Sequence, residues 1–475
     1  MRIRLSDLWR SDGTVDRGPY ALIGVVGFAF KHNMDRAVAT LVFHQRWELF
    51  NYWIPPTKAI RFASLPHGDA VFLMTMLAMA LPFIWVGVVL TLRRLRAVGL
   101  PAWLVAFFFI PVINLLFFLI LSIIPSRPLR HPADSVLPGK FQGRPKAVLD
   151  RVIPENAVGS AAMAILLTVP LGLAATRLGT GAFARYGWGL FVALPFCLGL
   201  GAVLLHGYHR PRSFGSCLAV SCLSALLLGV GLVLVAVEGV ICLMMALPIG
   251  LPLAAMGGSV GFLIQRRPWI MNQATSMMVA LVLFVPGLME TENMSRPSAP
   301  LFAVSTRLEV DAPPEKVWRE VVSFAELPEP NEWLFRLGVA YPVRARIHGR
   351  GVGAVRHCIF STGAFEEPIE VWDEPRLLKF SVTANPAPMR EWTPYSEIHP
   401  PHLSGSFLSR EGQFRLTLLP DGRTSIEGTT WYEHNMWPAI YWRFWSDAII
   451  HKIHRRVLIH IKRLAEQHRA PSASR

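Results

Sequence analysis

Over its first three fifths, the chain alternates between long apolar runs and short polar connections. Seven of these runs are long enough to cross the hydrocarbon core of a bilayer, which is about 30 Å thick, as a helix. They cover residues 70–92, 101–124, 160–178, 187–206, 216–237, 239–264 and 271–289. The pattern predicts a multi-spanning α-helical membrane region, with residues 160–290 forming a block of about five helices.

Two segments leave the number of spans at seven or eight. Residues 19–43 are interrupted by charged positions, and Lys31 and Asp35 are spaced so that a helix would bring them together as a pair. This segment is either a polar intramembrane site or a short span followed by an interfacial segment. Residues 101–124 contain Pro111 and Asn114 near their centre. They either cross once or re-enter on the same side.

The choice between one crossing and re-entry of residues 101–124 decides the topology. If residues 101–124 re-enter, the N-terminus, the arginines at positions 93–96 and the basic loop 126–159 share one side with the later arginine pairs. The positive-inside rule favours this arrangement, which makes the C-terminal domain extracytoplasmic. A single crossing places that domain in the cytoplasm, and the sequence leaves the side open. In both cases we expect an integral protein of a bacterial inner membrane.

Beyond residue 290 the pattern becomes that of a water-exposed α+β domain. Residues 291–301 read as a linker, residues 302–468 as the domain and residues 469–475 as a disordered tail. Alternating apolar residues predict several antiparallel strands with one buried face, and a helical repeat over residues 437–467 predicts a long closing helix. This is a helix-grip architecture, in which a curved antiparallel sheet holds the C-terminal helix.

A curved sheet and one helix leave space between them that apolar side chains line. We predict that residues on the inward strand faces and on the apolar face of the closing helix bind a ligand. They are His357, Phe380, Phe414, Thr430, Tyr432, Trp442, Trp445 and Ile449. His357 and Thr430 are the polar members, suited to orienting a head group. The alternative is that all of them simply form the core.

The net charge of +15 raises nucleic-acid binding as a possible function. However, residues 1–300 hold 25 Lys and Arg against 12 Asp and Glu, a balance of +13, whereas residues 301–475 hold 22 against 20. The excess base therefore lies in the loops between apolar runs, where membrane topology predicts it. We expect the bilayer and a hydrophobic small molecule as partners, and no nucleic acid.

The sequence offers little for catalysis or cofactor binding. No Ser-His-Asp order, phosphate-binding glycine loop, disulfide framework or CxxC motif is recognisable. His357 and His402 are weak candidates for acid–base chemistry, and His402 lies with His399 on a Pro-rich loop that reads as a lid or membrane-facing segment. His451 and His454 form a second histidine pair, on the closing helix. Because no third ligand is evident beside either pair, we expect no metal site and no cofactor.

The connection after the run 70–92 carries a recognisable pattern. Arg93-Arg94-Leu95-Arg96-Ala97-Val98-Gly99-Leu100-Pro101-Ala102-Trp103 resembles the bacterial membrane family called domain of unknown function 805, over residues 1–125. That family has His and Asp where this chain has Arg96 and Ala97. The resemblance implies no activity. The residues themselves predict that Arg93, Arg94 and Trp103 lie at the membrane interface, with the arginines anchored at the head groups.

A second resemblance covers residues 302–468. Val310-Asp311-Ala312-Pro313-Pro314-Glu315-Lys316-Val317-Trp318, together with the closing helix, resembles the START-like superfamily, also called SRPBCC or polyketide cyclase-like. The resemblance implies a cavity for a lipid, sterol, polyketide or other apolar ligand. It does not imply one activity.

Three functional hypotheses follow. The first is a membrane-anchored binding protein for a lipid-like or other hydrophobic molecule, which is more a binding protein than an enzyme. The second is a cyclase, dehydratase or hydrolase that uses a cavity histidine. The third is a transport or assembly protein whose soluble domain is regulatory. The ligand and the oligomeric state are not encoded in any recognisable motif.

Overall fold

The computed structural model describes residues 9–52, 67–110, 113–126, 148–182, 186–271, 273–295, 299–395, 398, 400–403 and 405–467. The chain divides into two compact units. The first comprises Met1–Val235 and Ala246–Pro297, and the second comprises Ala236–Met245 and Ser298–Arg475. The predicted tail and most of the predicted basic loop lie outside the described residues, as does His399.

The first unit is helical. Its α-helices are α1 (Arg17–Leu41), α2 (His67–Val98), α3 (Ile113–Ile123), α4 (Val148–Val152), α5 (Ala157–Arg177), α6 (Leu194–His206), α7 (Phe214–Leu234), α8 (Val240–Gln265), α9 (Pro268–Met271) and α10 (Ala274–Ser295). Six helices among the described residues are long and apolar enough to cross a membrane: Gly68–Val98, Ala157–Gly181, Gly189–His206, Phe214–Leu234, Val240–Gln265 and Ala274–Ser295. The predicted multi-spanning membrane region is confirmed. Helix α10 continues into the predicted linker.

The segment predicted either to cross or to re-enter is broken in two. A 3₁₀-helix covers Ala102–Phe109, and α3 follows after the break at Ile110. Phe107 and Phe117 meet edge to face with their ring centroids 5.6 Å apart, so the chain reverses direction between them. Each piece is too short to cross about 30 Å of hydrocarbon. The structure therefore has two short helical pieces here rather than one continuous apolar helix, and their re-entry into the membrane stays a prediction.

Arg94 fixes both ends of the hairpin that these two pieces form, beside the end of α2. Its guanidinium donates to the carbonyl oxygen of Leu121 at 2.9 Å, to that of Ile124, and to Ser126 Oγ at 2.8 Å. It also donates to Val15 O at 3.2 Å. Arg94 is fully buried by these contacts. The prediction that it is anchored at lipid head groups is therefore wrong, because its donors satisfy the chain's own carbonyls.

Arg93 is also buried, and its guanidinium contacts Thr14 O at 3.4 Å, which likewise disagrees with anchoring at head groups. Trp103 is 58% exposed, and its place at the interface stays a prediction.

The remaining basic connections join the same end of the first unit. Arg267 donates to Gly99 O at 2.7 Å, next to the end of α2. Arg212 donates to Glu155 O at 2.6 Å, and Gln265 bonds to Arg212 O. The N-terminal residues, the hairpin ends and the connections α4–α5, α6–α7 and α8–α9 therefore lie together. We call this the arginine end of the unit.

The opposite end is marked by Glu292, near the end of α10. Its carboxylate accepts the backbone N–H of Trp188 at 2.7 Å and of Gly189 at 3.2 Å, where the helical stretch that contains α6 begins. Helix N-termini favour carboxylates because their N–H groups lack intrahelical partners. Helix α10 therefore starts at the arginine end and finishes at the other.

Close packing of α6 and α8 depends on glycine, as the glycine clusters indicate. A Cβ at Gly199 would lie 2.0 Å from Ala254 O, and one at Gly257 would lie 2.1 Å from Phe196 O. The two backbones can approach this closely only because these positions have no side chain.

The Lys31–Asp35 pair forms on α1, as its spacing predicts. Asp35 is fully buried, bonds to Lys31 and accepts the Tyr52 hydroxyl at 2.7 Å. The Lys31 ammonium also lies 4.9 Å from the centre of the Tyr52 ring. The charges are thus satisfied within the chain.

The second unit is an antiparallel sheet that wraps around a long helix. Its strands are β1 (Leu301–Val310), β2 (Pro342–His348), β3 (Val355–Phe360), β4 (Gly363–Asp373), β5 (Leu377–Ser381), β6 (Phe407–Leu418) and β7 (Thr424–His434). They are ordered β1-β7-β6-β5-β4-β3-β2. The helices are α11 (Pro314–Val322), α12 (Trp333–Arg336) and α13 (Ala439–Gln467). The predicted helix-grip architecture is confirmed.

Local sequence explains the meander. Strands β6 and β7 are joined through Pro420-Asp421-Gly422, where Gly422 has φ +81°, a conformation that glycine adopts without strain. The core lies on one sheet face and contains Leu378, Phe380 and Ile426 from the strands together with Leu458 and Ile461 from α13. The face predicted for Leu378 and Phe380 is therefore correct.

Strand β3 is an exception. Arg356 and Cys358 are buried on the core side, whereas His357 lies on the other face beside His348, with their Nδ1 atoms 3.3 Å apart. The prediction that His357 faces inward is wrong. The apolar alternation of Val355 and Ile359 identified the wrong face, because the outer face of this strand also carries apolar residues.

Candidate functional site

The concave side of the sheet contains a buried ion pair. Arg356 on β3 and Glu367 on β4 are directly opposite in the strand register and bond through Nη1 and Oε2. The residues are 1% and 6% exposed, respectively. Charges are rarely placed in such an interior, because losing water costs several kcal/mol for each ion.

Three phenylalanine rings surround the guanidinium. Its central carbon lies 5.5 Å from the ring centres of Phe324 and Phe414 and 5.6 Å from that of Phe380. Cation–π attraction partly replaces the lost hydration. Arg356 Nε has no hydrogen-bond partner among the residues that the structure describes. We call Arg356, Glu367 and these three rings the arginine box.

Burial changes the chemistry of the groups beside the arginine. Loss of solvent raises the pKa of Glu367, although Arg356 opposes this shift. Burial likewise raises the pKa of the Cys358 thiol to about 12, so the thiol stays protonated at neutral pH. The arginine box therefore offers a fixed cation and no thiolate.

A second polar group lies between the sheet and α13. His454 Nε2 is 2.8 Å from the Thr430 hydroxyl, and His454 Nδ1 is 3.1 Å from the Thr306 hydroxyl. His451 Nδ1 also contacts Thr306 Oγ1, at 2.8 Å. The prediction that Thr430 faces the closing helix is correct, and its hydroxyl contacts a histidine that the sequence analysis had considered only as a metal ligand.

Tyr432 connects the same strand to α13 further along. Its hydroxyl donates to Asp447 Oδ1 at 2.6 Å, and Arg443 donates to the other carboxylate oxygen at 3.1 Å. His434 is fully buried and stacks on Phe302 with ring centroids 5.1 Å apart. The inward face of β7 is therefore polar toward its end.

The other predicted lining residues divide into two groups. Phe380 and Phe414 belong to the arginine box. Trp442 is buried near the start of α13, Trp445 is half-buried, and Ile449 packs on Leu334, Phe335 and Val339 in a separate cluster. The structure thus places only the two phenylalanines around Arg356. Whether any of these residues contacts a ligand stays a prediction.

Neither histidine proposed for catalysis belongs to the arginine box. His357 lies on the outer face of β3, and His402 lies on a 3₁₀-turn, Pro401–Leu403, where its Nε2 atom is 2.7 Å from Cys242 Sγ. Sequence reasoning missed Arg356 and Glu367. The available signal was a charged residue in each of two neighbouring strands, but the sequence does not give their register.

The buried histidines predict a pH dependence. Burial lowers the pKa of His454 to about 4, with His451 adding to the shift, and lowers that of His434 to about 4, with Asp447 opposing and Arg443 adding. The unfolded chain therefore binds more protons below pH 6.5 than the folded one. We expect the stability to be fully present above about pH 6.5 and to fall as the pH decreases toward 4.

The measurement is the midpoint of thermal unfolding of the full chain between pH 7.5 and 4.5. His454→Gln should reduce the slope of midpoint against pH, because one titrating group is removed. His357→Gln, on the outer face, is the matched control and should leave the slope unchanged. An unchanged slope for His454→Gln would contradict the assignment.

A known family model matches the first part of the chain. Residues 10–131 match the family model described as "Protein of unknown function (DUF805)", which agrees with the resemblance carried by the Arg93–Trp103 segment. The match covers less than half of the chain. No curated protein matches the chain.

Solved structures similar to part of the chain include norcoclaurine synthase from Thalictrum flavum in complex with a transition-state analogue, at 14% identity and a TM-score of 0.24, covering 36% of this chain and 99% of that one. A protein from Nitrosospira multiformis has 21% identity and a TM-score of 0.22, and the match covers 35% of this chain and 100% of that protein. A protein from Nitrosomonas europaea has 13% identity and a TM-score of 0.23, and the match covers 36% of this chain and 97% of that protein.

Proposed function

We propose that the second unit binds a hydrophobic molecule with an anionic head group, and that the helical region anchors it in the membrane. The observation that carries the proposal is Arg356, a buried cation among three aromatic rings whose Nε–H has no partner in the described part of the chain. An acceptor atom of a ligand would satisfy this donor. The apolar part of the ligand would take the place of contacts between the phenylalanine rings.

Energetics support a role in binding rather than in stability. Apolar residues of the same volume as a buried ion pair often give an equal or higher free energy of unfolding. The pair Arg356–Glu367 is therefore a poor device for holding β3 and β4 together, since the strand ladder already does so. A head-group site gives a physical reason for placing the charge there.

Exposed apolar side chains support a bilayer as the source of the ligand. Ile440 and Phe444 are one turn apart at the start of α13 and are 72% and 69% exposed, respectively. Between them, the Tyr441 hydroxyl donates to Met245 O, at the start of the apolar helix α8. Trp392 and Tyr395, on the loop predicted to be a lid or membrane-facing segment, are also exposed. Such residues are typical of membrane interfaces.

The enzyme hypothesis has less support. Its first candidate base, His357, lies away from the concave side, and the second, His402, contacts Cys242 rather than the arginine box. The transport or assembly hypothesis rests on the spans alone. We therefore favour binding.

The test uses the full chain in detergent, stripped of lipid, with radiolabelled palmitate as the probe and hexadecanol of the same chain length as the comparison. We expect saturable palmitate binding that is tighter than hexadecanol binding by roughly tenfold or more, since hydrogen bonds to charged groups contribute about 1.5–3 kcal/mol. Equal binding of both, or binding of neither to the folded protein, would overturn the proposal.

We also infer that the second unit is extracytoplasmic. The arginine end corresponds to the cytoplasmic side by the positive-inside rule, and α10 runs from this end to the other before the chain continues into β1. The hairpin supports this inference, because its re-entry on the same side would remove one crossing.

Reporter fusions to the full chain test this topology in bacteria. Alkaline phosphatase at the C-terminus should be active, and green fluorescent protein there should be dark. Green fluorescent protein at the N-terminus, on the arginine end, is the matched control and should fluoresce. The reverse pattern would place the second unit in the cytoplasm and contradict the inference.

A further inference from the structure

The second unit contains another cluster of chemically distinctive side chains outside the arginine box. Glu238 and Cys242 come from the segment Ala236–Met245, and His402 comes from the 3₁₀-turn. One ligand atom from each of the three lies within 4.8 Å of the other two. Glu238 and His402 are each 6% exposed. We propose that this cluster binds a divalent cation of the zinc class.

The geometry around the imidazole supports this assignment. His402 Nε2 lies 2.7 Å from Cys242 Sγ, so this nitrogen and the sulfur are placed to share an ion. The other ring nitrogen, Nδ1, lies 3.4 Å from Glu238 Oε2, a contact of the kind that orients a ligating imidazole. Two ligands of one tetrahedral zinc ion, with bonds of roughly 2.3 Å to sulfur and 2.1 Å to nitrogen, stand about 3.5 Å apart. The thiol and imidazole therefore need to separate by less than 1 Å to hold an ion between them.

Charge around the cluster also favours a cation. A second carboxylate, Glu391, accepts the backbone N–H of Ile241 at 3.0 Å and that of Cys242 at 3.2 Å. Two carboxylates and a thiol thus converge on one buried place, and buried charges of one sign are tolerated when they are paired or coordinate a metal. A reactive cysteine would instead need positive surroundings that stabilise a thiolate.

The donor set selects the class of ion. Thiolate and imidazole ligands favour zinc over magnesium or calcium, which prefer oxygen ligands alone. The cluster supplies three protein ligands, so the fourth position of a tetrahedral ion is left to solvent. The ion would link the loop that carries Glu391 and His402 to the segment Ala236–Met245, both of which belong to the second unit. The oxygen atoms of Glu238 provide the third ligand.

The experiment measures zinc in the full-length protein, first as purified and then after chelation and titration with zinc sulfate. We expect one zinc per chain. Cys242→Ser, His402→Gln and Glu238→Gln should each weaken binding at least tenfold, since replacing even a residue that only orients a ligand costs about 10–100-fold. Cys222→Ser and His451→Gln, which alter the same residue types elsewhere, are the controls and should bind zinc like the unaltered protein.

Cobalt provides a second readout that depends on ligand identity. In the unaltered protein, Co²⁺ should give a thiolate-to-metal charge-transfer absorption that Cys242→Ser lacks. Failure of the folded, chelated protein to take up zinc, or equal uptake by Cys242→Ser and His402→Gln, would overturn the proposal. A failure here leaves the palmitate experiment unaffected, because Arg356 lies outside this cluster.

Discussion

Arg356→Met is expected to lower the free energy of unfolding by about 3–5 kcal/mol and to abolish the preference for palmitate over hexadecanol. The substitution leaves Glu367 buried without its cation, and it removes the donor that the proposed head group needs. Chemical denaturation of the full chain and the palmitate assay measure the two effects separately. The loss of stability follows from burial alone, whereas the loss of head-group preference depends on the proposed function.

A double variant separates these effects. Arg356→Met combined with Glu367→Gln removes both charges, so the stability should largely return while the preference for palmitate stays absent. Arg350→Met is the matched control, because it also breaks an arginine–glutamate ion pair. Arg350 pairs with Glu374 at the surface, where the Arg350 side chain is 80% exposed. Arg350→Met should change the free energy of unfolding by about 1 kcal/mol or less. If the double variant still prefers palmitate, Arg356 does not bind the head group.

Arg94→Ala is expected to have the largest effect in the helical unit. The substitution removes donors to three backbone carbonyls and one hydroxyl at the open end of the hairpin, and it leaves the three carbonyls buried. Each lost hydrogen bond to a charged group costs about 1.5–3 kcal/mol. We expect severe loss of monodisperse protein in detergent and a clearly lower thermal midpoint for what remains.

Arg96→Ala controls for the removal of an arginine from the same run. Arg96 is exposed, and its guanidinium contacts Ser11 O at the surface, so little change is expected. Arg94→Lys should recover the fold only partly, because an ammonium group cannot match the fork of a guanidinium. Equal behaviour of the Arg94 and Arg96 alanine variants would contradict the structural role of Arg94.

The sequence by itself determined the elements and their order. Apolar runs of bilayer length predicted seven spans, six of which are long apolar helices among the described residues, and alternation along β5 and helical spacing along α13 identified buried faces. These patterns are local, because the period of a helix or strand is set by its own backbone. The Lys31–Asp35 pair followed from the same periodicity.

Only the tertiary structure decided which distant groups meet. The reversal at Ile110, the pairing of Arg356 with Glu367 and the approach of His402 to Cys242 depend on turns and strand register. A shift of one residue in register moves every side chain to the other face, which is why His357 was predicted on the wrong side. Cys242 and His402 are far apart in the chain and carry no spacing motif. Their convergence comes from folding, whereas the apolar runs that anchor the protein are visible in the sequence.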